Sequence, residues 1–426
     1  MNQDTQGAAA PIEAVYGPDK AGAAAARYAA LIAGMPEAYR GAARLFSAPG
    51  RAELGGNHTD HNRGKVLAAS LDLDIAAAAA PAPDKQVVFR SAGYPLACVD
   101  LSNLAPRAEE RGTTAALIRG IAAGFVRKGA EAGGFTASAD SAVLPGSGLS
   151  SSAAAEVLVG LIYNVLYNNS RLSALEIAKI GQDAENNYFG KPSGLMDQAA
   201  SAIGGAAAID FKDPVSPAVR RLAFNPEDSG YALCVVNTGG SHADLTADYA
   251  AVQDEMKAVA RFFGKSVLRE VEGLAVERLQ DLRGALGDRA VVRALHFFNE
   301  NRRVDAMTGA LTRAAAGASG AFAAYLALVN QSCDSSWELL QNSYSLSNPR
   351  EQPISLALAL TRAFFDHTAI PFGCRVQGGG FAGTIQAYIP QDLLAPYCAA
   401  MDQAFGGGSV TAVRIRPLGA VEIAAP

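Results

Sequence analysis

The chain has 426 residues, half of them hydrophobic and 18% charged, which excludes a disordered tail protein or a fibrous repeat and gives length for two or three domains. Its 36 Lys and Arg stand against 41 Asp and Glu, a net charge of −5, so no global field draws it toward nucleic acid or an anionic membrane. A local basic pocket for a phosphate ligand is compatible with that balance. In chain order, residues 1–45 read as helical and alanine-rich with a break at Gly34–Pro36. A loop rich in Gly, Asn, His and Asp follows between two apolar stretches, with Arg51 just after Pro49-Gly50. Val66–Ala78 alternates in part (Leu71, Leu73, Ile75) and predicts a strand, as does Val87–Arg90. Thr113–Arg127 has helical spacing, and Phe135–Val143 reads as a strand ending at Leu144-Pro145-Gly146. GSGLSSSAAAEVLVGLIYNVLY is a glycine- and serine-rich turn running into an apolar helix, and Leu175–Tyr188 predicts another helix. Tyr231–Asn237 has a buried-strand pattern, and Asp248 to about Leu340 is mainly helical. Arg375–Ile389 carries GGGFAG between two strand-like segments. Mixed strands and helices without strict alternation predict an α+β fold. The turn-rich KDPVSP near 215 divides the chain into 1–215 and 216–426.

Five cysteines, Cys98, Cys234, Cys333, Cys374 and Cys398, show no CxxC spacing and an odd count. That argues against a disulfide framework or a zinc site and fits a reducing cytoplasm. The first residues lack a basic stretch followed by an apolar core, so no signal peptide is expected. The longest apolar run, near Ile75–Pro81, is mostly alanine and too short to span a bilayer. The expectation is a cytoplasmic protein without nucleic-acid or membrane partners.

LPGSGLSSSAAA, from Leu144 to Ala155, carries the first chemical signal. Gly146 and Gly148 permit tight turns, and Ser150, Ser151 and Ser152 put hydroxyls and free backbone N–H groups at a helix start. Unpaired donors and the positive end of the helix dipole suit a polyphosphate. GxxxxGK(S/T) is absent, so this is not a P-loop. Ser151 stands where a dinucleotide fingerprint needs its third glycine. Alone, the segment reads equally well as a Ser/Gly turn capping a core helix.

Three separated segments, PGRAELGGNHTDHN, PGSGLSSSAAAE and VQGGGFAG, resemble in order the three motifs of the GHMP small-molecule kinases. The first, with SGLMDQAAS at 193–201, resembles galactokinases in particular, and HADLTADY at 242–249 and LHFFNENRR at 295–303 are similar to further galactokinase segments. The resemblance runs from about Phe46 to about Pro390. It implies a two-domain α+β fold with a ribosomal protein S5-like N-terminal domain, the active site between the domains, and phosphoryl transfer from MgATP to the anomeric hydroxyl of a hexose. By the same resemblance Arg51 and Asp197 form the catalytic centre. Asp197 would accept or orient the sugar hydroxyl's proton, and Arg51 would keep it ionised and stabilise charge on the transferring group. Without the resemblance, the pair reads as a structural ion pair.

Glu185, twelve residues before Asp197 as in galactokinases, and Ser151 are the implied Mg²⁺ ligands, with the choice among Ser150, Ser151 and Ser152 left open. Gly146, Gly148 and the three serines would hold ATP. Asn57, His58, Asp60, Gly194 and Tyr249 match sugar-contact positions, and His61, His296 and His367 are left as structural. GGGFAG would support the phosphate loop or the sugar side through its backbone. A monomer or weak homodimer is expected.

The sequence departs from the family at three places. Asn57 stands where galactokinases carry the Glu of GEHTDYN, which reaches the sugar's C6 hydroxyl. His61 replaces Tyr, and Ala382 replaces Gly in Gly380-Phe381-Ala382-Gly383. Asn is neutral and both donates and accepts, so a galactose-like hexose altered at C6, such as galacturonate, is an alternative to galactose. A non-catalytic sugar- and ATP-binding regulator is a second alternative.

Overall fold

The alanine run at the end of the second strand lets helices pack close on both faces of one sheet. The computed structural model describes residues 9–143, 148–240 and 245–424. Among the described residues twelve strands run β1 Arg44–Gly55, β2 Lys65–Pro81, β3 Gln86–Ser91, β4 Ala97–Asp100, β5 Phe135–Ser141, β6 Ala206–Asp210, β7 Ala218–Leu222, β8 Tyr231–Asn237, β9 Gly373–Val376, β10 Thr384–Pro390, β11 Val410–Val413 and β12 Val421–Ile423. Along β2, Ala76, Ala78 and Ala80 face a cluster with Tyr28 and Leu31 of the helix Ala21–Ala33. Ala77 and Ala79 face the opposite, larger core. Side chains alternate across a strand, so a run of small residues keeps both faces shallow.

Eight strands form the first sheet, in the order β12-β1-β2-β5-β3-β4, with β6 on the other half of β2 and β7 beyond it. Among the strands of the described residues only β3 and β5 pair in parallel, and an isolated parallel bridge joins Ala10 to Ile423 of β12. β2 pairs with β6 over Lys65–Ala69 and with β5 over Ile75–Pro81, so its 17 residues turn from one neighbour to the other. The second sheet is antiparallel throughout, ordered β11-β8-β10-β9. The chain's last strand, β12, returns to pair with β1.

Arg51 sits within strand β1, where a loop was expected. The register with β2 jumps between Pro49 and Arg51, because a bulge at Pro49-Gly50 breaks the ladder and frees Arg51 N–H for the Leu149 carbonyl (3.0 Å). The strand thereby grips the serine segment and aims the guanidinium. The helix Ser151–Asn168 lies over β1 and β2 with a nearly continuous buried face from Ala153 to Val165.

The helix Ala174–Ala184 starts with a capping box between Ser173 and Glu176, stabilising by about 1 kcal/mol. It loosens into a π turn, Glu185–Phe189, closed by Gly190 in the left-handed region (φ 92°). The helix Met196–Ile203 is tied to the sheet by Ser201 Oγ donating to the Pro49 carbonyl and Ser70 Oγ donating to the Ala200 carbonyl, both 2.7 Å. All five cysteines are free. Among the described residues no helix is long and apolar enough to cross a membrane.

Candidate active site

A cleft of about 460 Å³ opens where β1, the serine segment, the loop before Met196, the helix Thr246–Phe262 and the GGGFAG turn converge. At its floor the Arg51 guanidinium clasps Asp197 with two parallel bonds, Nε to Oδ1 and Nη2 to Oδ2, each 2.7 Å. The two residues are 146 positions apart in sequence. The Arg51 side chain is 6% exposed and that of Asp197 28%, so the pair is desolvated on the arginine side and open on the aspartate side. Arg51 Nη1 also donates to the Gly148 carbonyl, and Ser150 Oγ donates to Asp197 Oδ2 (2.7 Å). Burial pushes the Asp197 carboxyl up, but the charge and hydrogen bonds of Arg51 and the Ser150 hydroxyl outweigh it and hold the group below its ordinary range. Asp197 is therefore ionised at neutral pH.

One wall is the serine turn. Gly148 has φ 67°, and a Cβ there would meet Thr384 Oγ1 at 2.6 Å. Ser150 is itself left-handed (φ 58°), which turns the chain into the helix that begins at Ser151. Ser151 and Ser152 line the cleft at that N-terminus. Ser152 Oγ lies 3.4 Å from Glu185 Oε1, so Ser152 is the serine in contact with the expected metal carboxylate. Gly146 lies outside the described residues, as do Ser241 to Asp244.

Glu185 is held on both oxygens. Lys191 Nζ reaches Oε1 (3.1 Å) and Gln198 Nε2 reaches Oε2 (3.0 Å), while the same Gln198 nitrogen donates to Glu156 Oε2 (2.8 Å). Burial, then repulsion from Glu185, pushes the Glu156 carboxyl well above its ordinary value. Glu156 Oε1 and Gln198 Oε1 are buried without a partner. An all-oxygen set of one carboxylate and serine hydroxyls fits a hard cation such as Mg²⁺, which keeps its waters and shares the nucleotide's phosphates. Among the described residues no three or more His, Cys, Asp or Glu side chains form a group that could hold a metal ion.

The other wall gathers the expected sugar positions. Asp60 Oδ1 accepts from His61 N (2.9 Å) and Oδ2 from Met196 N (3.3 Å). Burial, followed by the charge of Asp197, raises its carboxyl to about 6. Gly194 leaves the space Asp60 occupies: a Cβ would fall 1.7 Å from Asp60 Oδ2. Three successive carbonyls of GGGFAG accept from three expected contact residues. Gly378 accepts from Asn57 Nδ2 (2.7 Å), Gly379 from His58 Nε2 (2.9 Å) and Gly380 from the Tyr249 hydroxyl (3.0 Å). A Cβ at Gly379 would meet the Tyr249 ring at 2.5 Å. The Tyr249 ring packs edge-on against Phe381.

Asn57 is fully buried and fully used. Its Nδ2 donates to Gly378 and to Glu53 Oε2 (3.2 Å), and its Oδ1 accepts from Asn342 Nδ2 (2.8 Å) and Ser336 Oγ (3.4 Å). Glu53, which the sequence did not single out, lines the cleft beneath it and pairs with the fully buried Arg375 (2.6 Å). His61, left as structural, also lines the cleft. Its Nε2 donates to His58 Nδ1 (3.4 Å), and burial pulls both imidazoles below their ordinary value, which favours the neutral rings. His296 is structural as expected: Nε2 donates to the Asn57 carbonyl (2.9 Å) and Nδ1 accepts from Ser335 Oγ (2.8 Å). Lys191 also faces the cleft and carried no sequence signal.

Two family models match the chain: the GHMP kinases N terminal domain over residues 116–205 and the galactokinase galactose-binding signature over residues 36–81. Among solved structures, it is similar to Lactococcus lactis galactokinase complexed with galactose, with a TM-score of 0.75 and 24% identity over 94% of this chain and 98% of that one. It is also similar to a putative sugar kinase from Campylobacter jejuni (TM-score 0.56, 18% identity, 89% and 98% covered). L. major mevalonate kinase in complex with R-mevalonate gives a TM-score of 0.57 at 16% identity, with 88% and 96% covered. The fold is thus that of the GHMP kinases, α+β as expected. The galactose-binding signature falls on β1, the turn after it and β2, and the GHMP kinase match covers the helices that carry Ser151, Glu185 and Asp197.

Proposed function

We propose that the protein transfers the terminal phosphoryl group of ATP to the C1 hydroxyl of galactose. The observation that carries this reading is the Arg51–Asp197 clasp at the floor of one cleft, with a serine-lined helix N-terminus on one side and Asp60, His58, Gly194 and Tyr249 on the other. Phosphoryl transfer needs positioning and charge stabilisation more than covalent help. The Ser150–Ser152 turn holds the phosphates with hydroxyls and backbone N–H groups. Asp60 accepts from ring hydroxyls and Tyr249 offers its oxygen, which fixes the anomeric hydroxyl against Asp197.

Asp197 stays ionised because Arg51 neutralises it, so the remaining lone pair on Oδ1 orients that hydroxyl and takes its proton as the new P–O bond forms. The guanidinium, desolvated behind the aspartate, stabilises charge on the transferring group. Glu185 with Ser151 or Ser152 would hold Mg²⁺, which when bound neutralises charge on the phosphates. Asn57 spends both ends of its amide on protein groups and keeps none to reward a carboxylate at C6, so galactose is preferred over the sugar acid as substrate. The assay is ADP release with galactose, galacturonate and N-acetylgalactosamine in parallel. Galactose is expected to turn over at least about tenfold faster than either. Preference for galacturonate would assign the sugar acid, and binding of ATP and sugar without ADP release would leave a regulator.

A further inference from the structure

Each of the three Arg51 guanidinium nitrogens already donates: Nε and Nη2 to Asp197, and Nη1 to the Gly148 carbonyl. Its charge is therefore divided between the aspartate and the transferring group. A nucleotide triphosphate bound at the serine turn still requires a positive partner for its terminal group. Among the described residues lining the cleft, Arg51 and Lys191 are the only Arg or Lys side chains.

The root of Lys191 is fixed. The amide groups of Gly190 and Lys191 both donate to the Glu185 carbonyl, at 2.9 and 3.1 Å, and Pro192 follows, which restricts Lys191 to extended backbone. Its side chain is 60% exposed by contrast, and among the described residues its hydrogen-bonded ion pair is with the 4%-exposed Glu185. An exposed, flexible ammonium resting on a buried carboxylate is poised to exchange partners. Glu185 keeps its second hydrogen bond from Gln198 when the lysine leaves.

We propose that Lys191 is a phosphate-binding residue, which rests on Glu185 in the free protein and turns its ammonium to the terminal phosphate when nucleotide binds. The inference rests on the kinase reading above. Lysine suits this work as a compact charge on a long stem. Without metal, the lysine is the cation that leaves one end of the triphosphate compensated. With metal, it adds to the metal's neutralisation.

The test is calorimetric binding of ATP and ADP to the full chain in EDTA and in Mg²⁺, for the wild type, Lys191→Met and Lys191→Arg. Lys191→Met is expected to lose at least about tenfold in ATP affinity in EDTA, less in Mg²⁺, and little for ADP, with Lys191→Arg recovering most of the loss. Turnover should fall in Lys191→Met with the sugar KM unchanged. A lysine that merely steadies Glu185 would weaken ATP and ADP alike, and that result overturns the proposal, as does unchanged ATP affinity in both buffers. If the wild type binds no ATP in either buffer, the kinase reading itself fails, an outcome distinct from the two just named. Thermal melts of each variant separate misfolding from lost binding.

Discussion

Replacing Asp60 by Asn should make the protein more stable at neutral pH while removing its sugar affinity. The carboxyl ionises near 3.8 when exposed and near 6 in the folded cleft, because burial and the neighbouring Asp197 charge oppose its ionisation. Between those values the folded protein keeps a proton that the unfolded chain has released, so stability falls as pH rises through that window and stays lower above it. About two pKa units correspond to roughly 3 kcal/mol at neutral pH. Asn cannot ionise and avoids that cost, but it offers one acceptor oxygen where Asp60 uses two, for His61 N and Met196 N. Losing one such bond costs about 1 kcal/mol, which leaves a gain of about 2 kcal/mol, or about 2 °C in a chain of this size. Scanning calorimetry of both proteins without ligands at about pH 7.5 and about pH 4 provides the comparison. The gain should appear at the higher pH and vanish at the lower, where wild-type Asp60 is already protonated. Equal gains at both values, or a loss at neutral pH, would refute the assignment of a strained carboxylate at this wall.

Further outcomes follow from the same geometry. Asp197→Asn should lower turnover by about a thousandfold or more with ATP affinity nearly unchanged, measured by ADP release and calorimetry. It should also move the pH midpoint of sugar binding downward, since Asp197 helps raise Asp60. In the wild type that affinity should weaken as pH falls through about 6. Gly194→Ala forces a Cβ onto Asp60 Oδ2, so the sugar KM should rise at least about tenfold while the melting temperature moves little, because only a side-chain end must yield. Arg375→Met strands Glu53 without its buried partner and should cost about 3–5 kcal/mol in denaturant melts, with Glu53→Leu on the same chain restoring most of it.

What could be read in the sequence was what local pattern encodes. The strand Tyr231–Asn237 announces itself as an apolar run, and the helix from Ser151 by serines followed by small and apolar residues. β1 was read as a loop around Arg51 because Pro49-Gly50 is a turn signal, and here it makes a bulge inside a strand. The Arg51–Asp197 clasp joins residues 146 positions apart, so no window contains it, and only the family resemblance suggested it. The supports of the sugar wall were hidden for another reason. The carbonyls of Gly378, Gly379 and Gly380 are backbone acceptors, and no side-chain pattern records which residue they receive. Glu53 and Lys191 looked like ordinary charges until the fold put one beside Arg375 and the other over Glu185.

The central claim is tested most directly by phosphorus NMR of the product formed from galactose and MgATP. The account predicts one new sugar phosphate whose phosphorus couples to the anomeric proton, formed by the wild type and not by Asp197→Asn. A phosphate on any other carbon, or an equal yield from the variant, would contradict it.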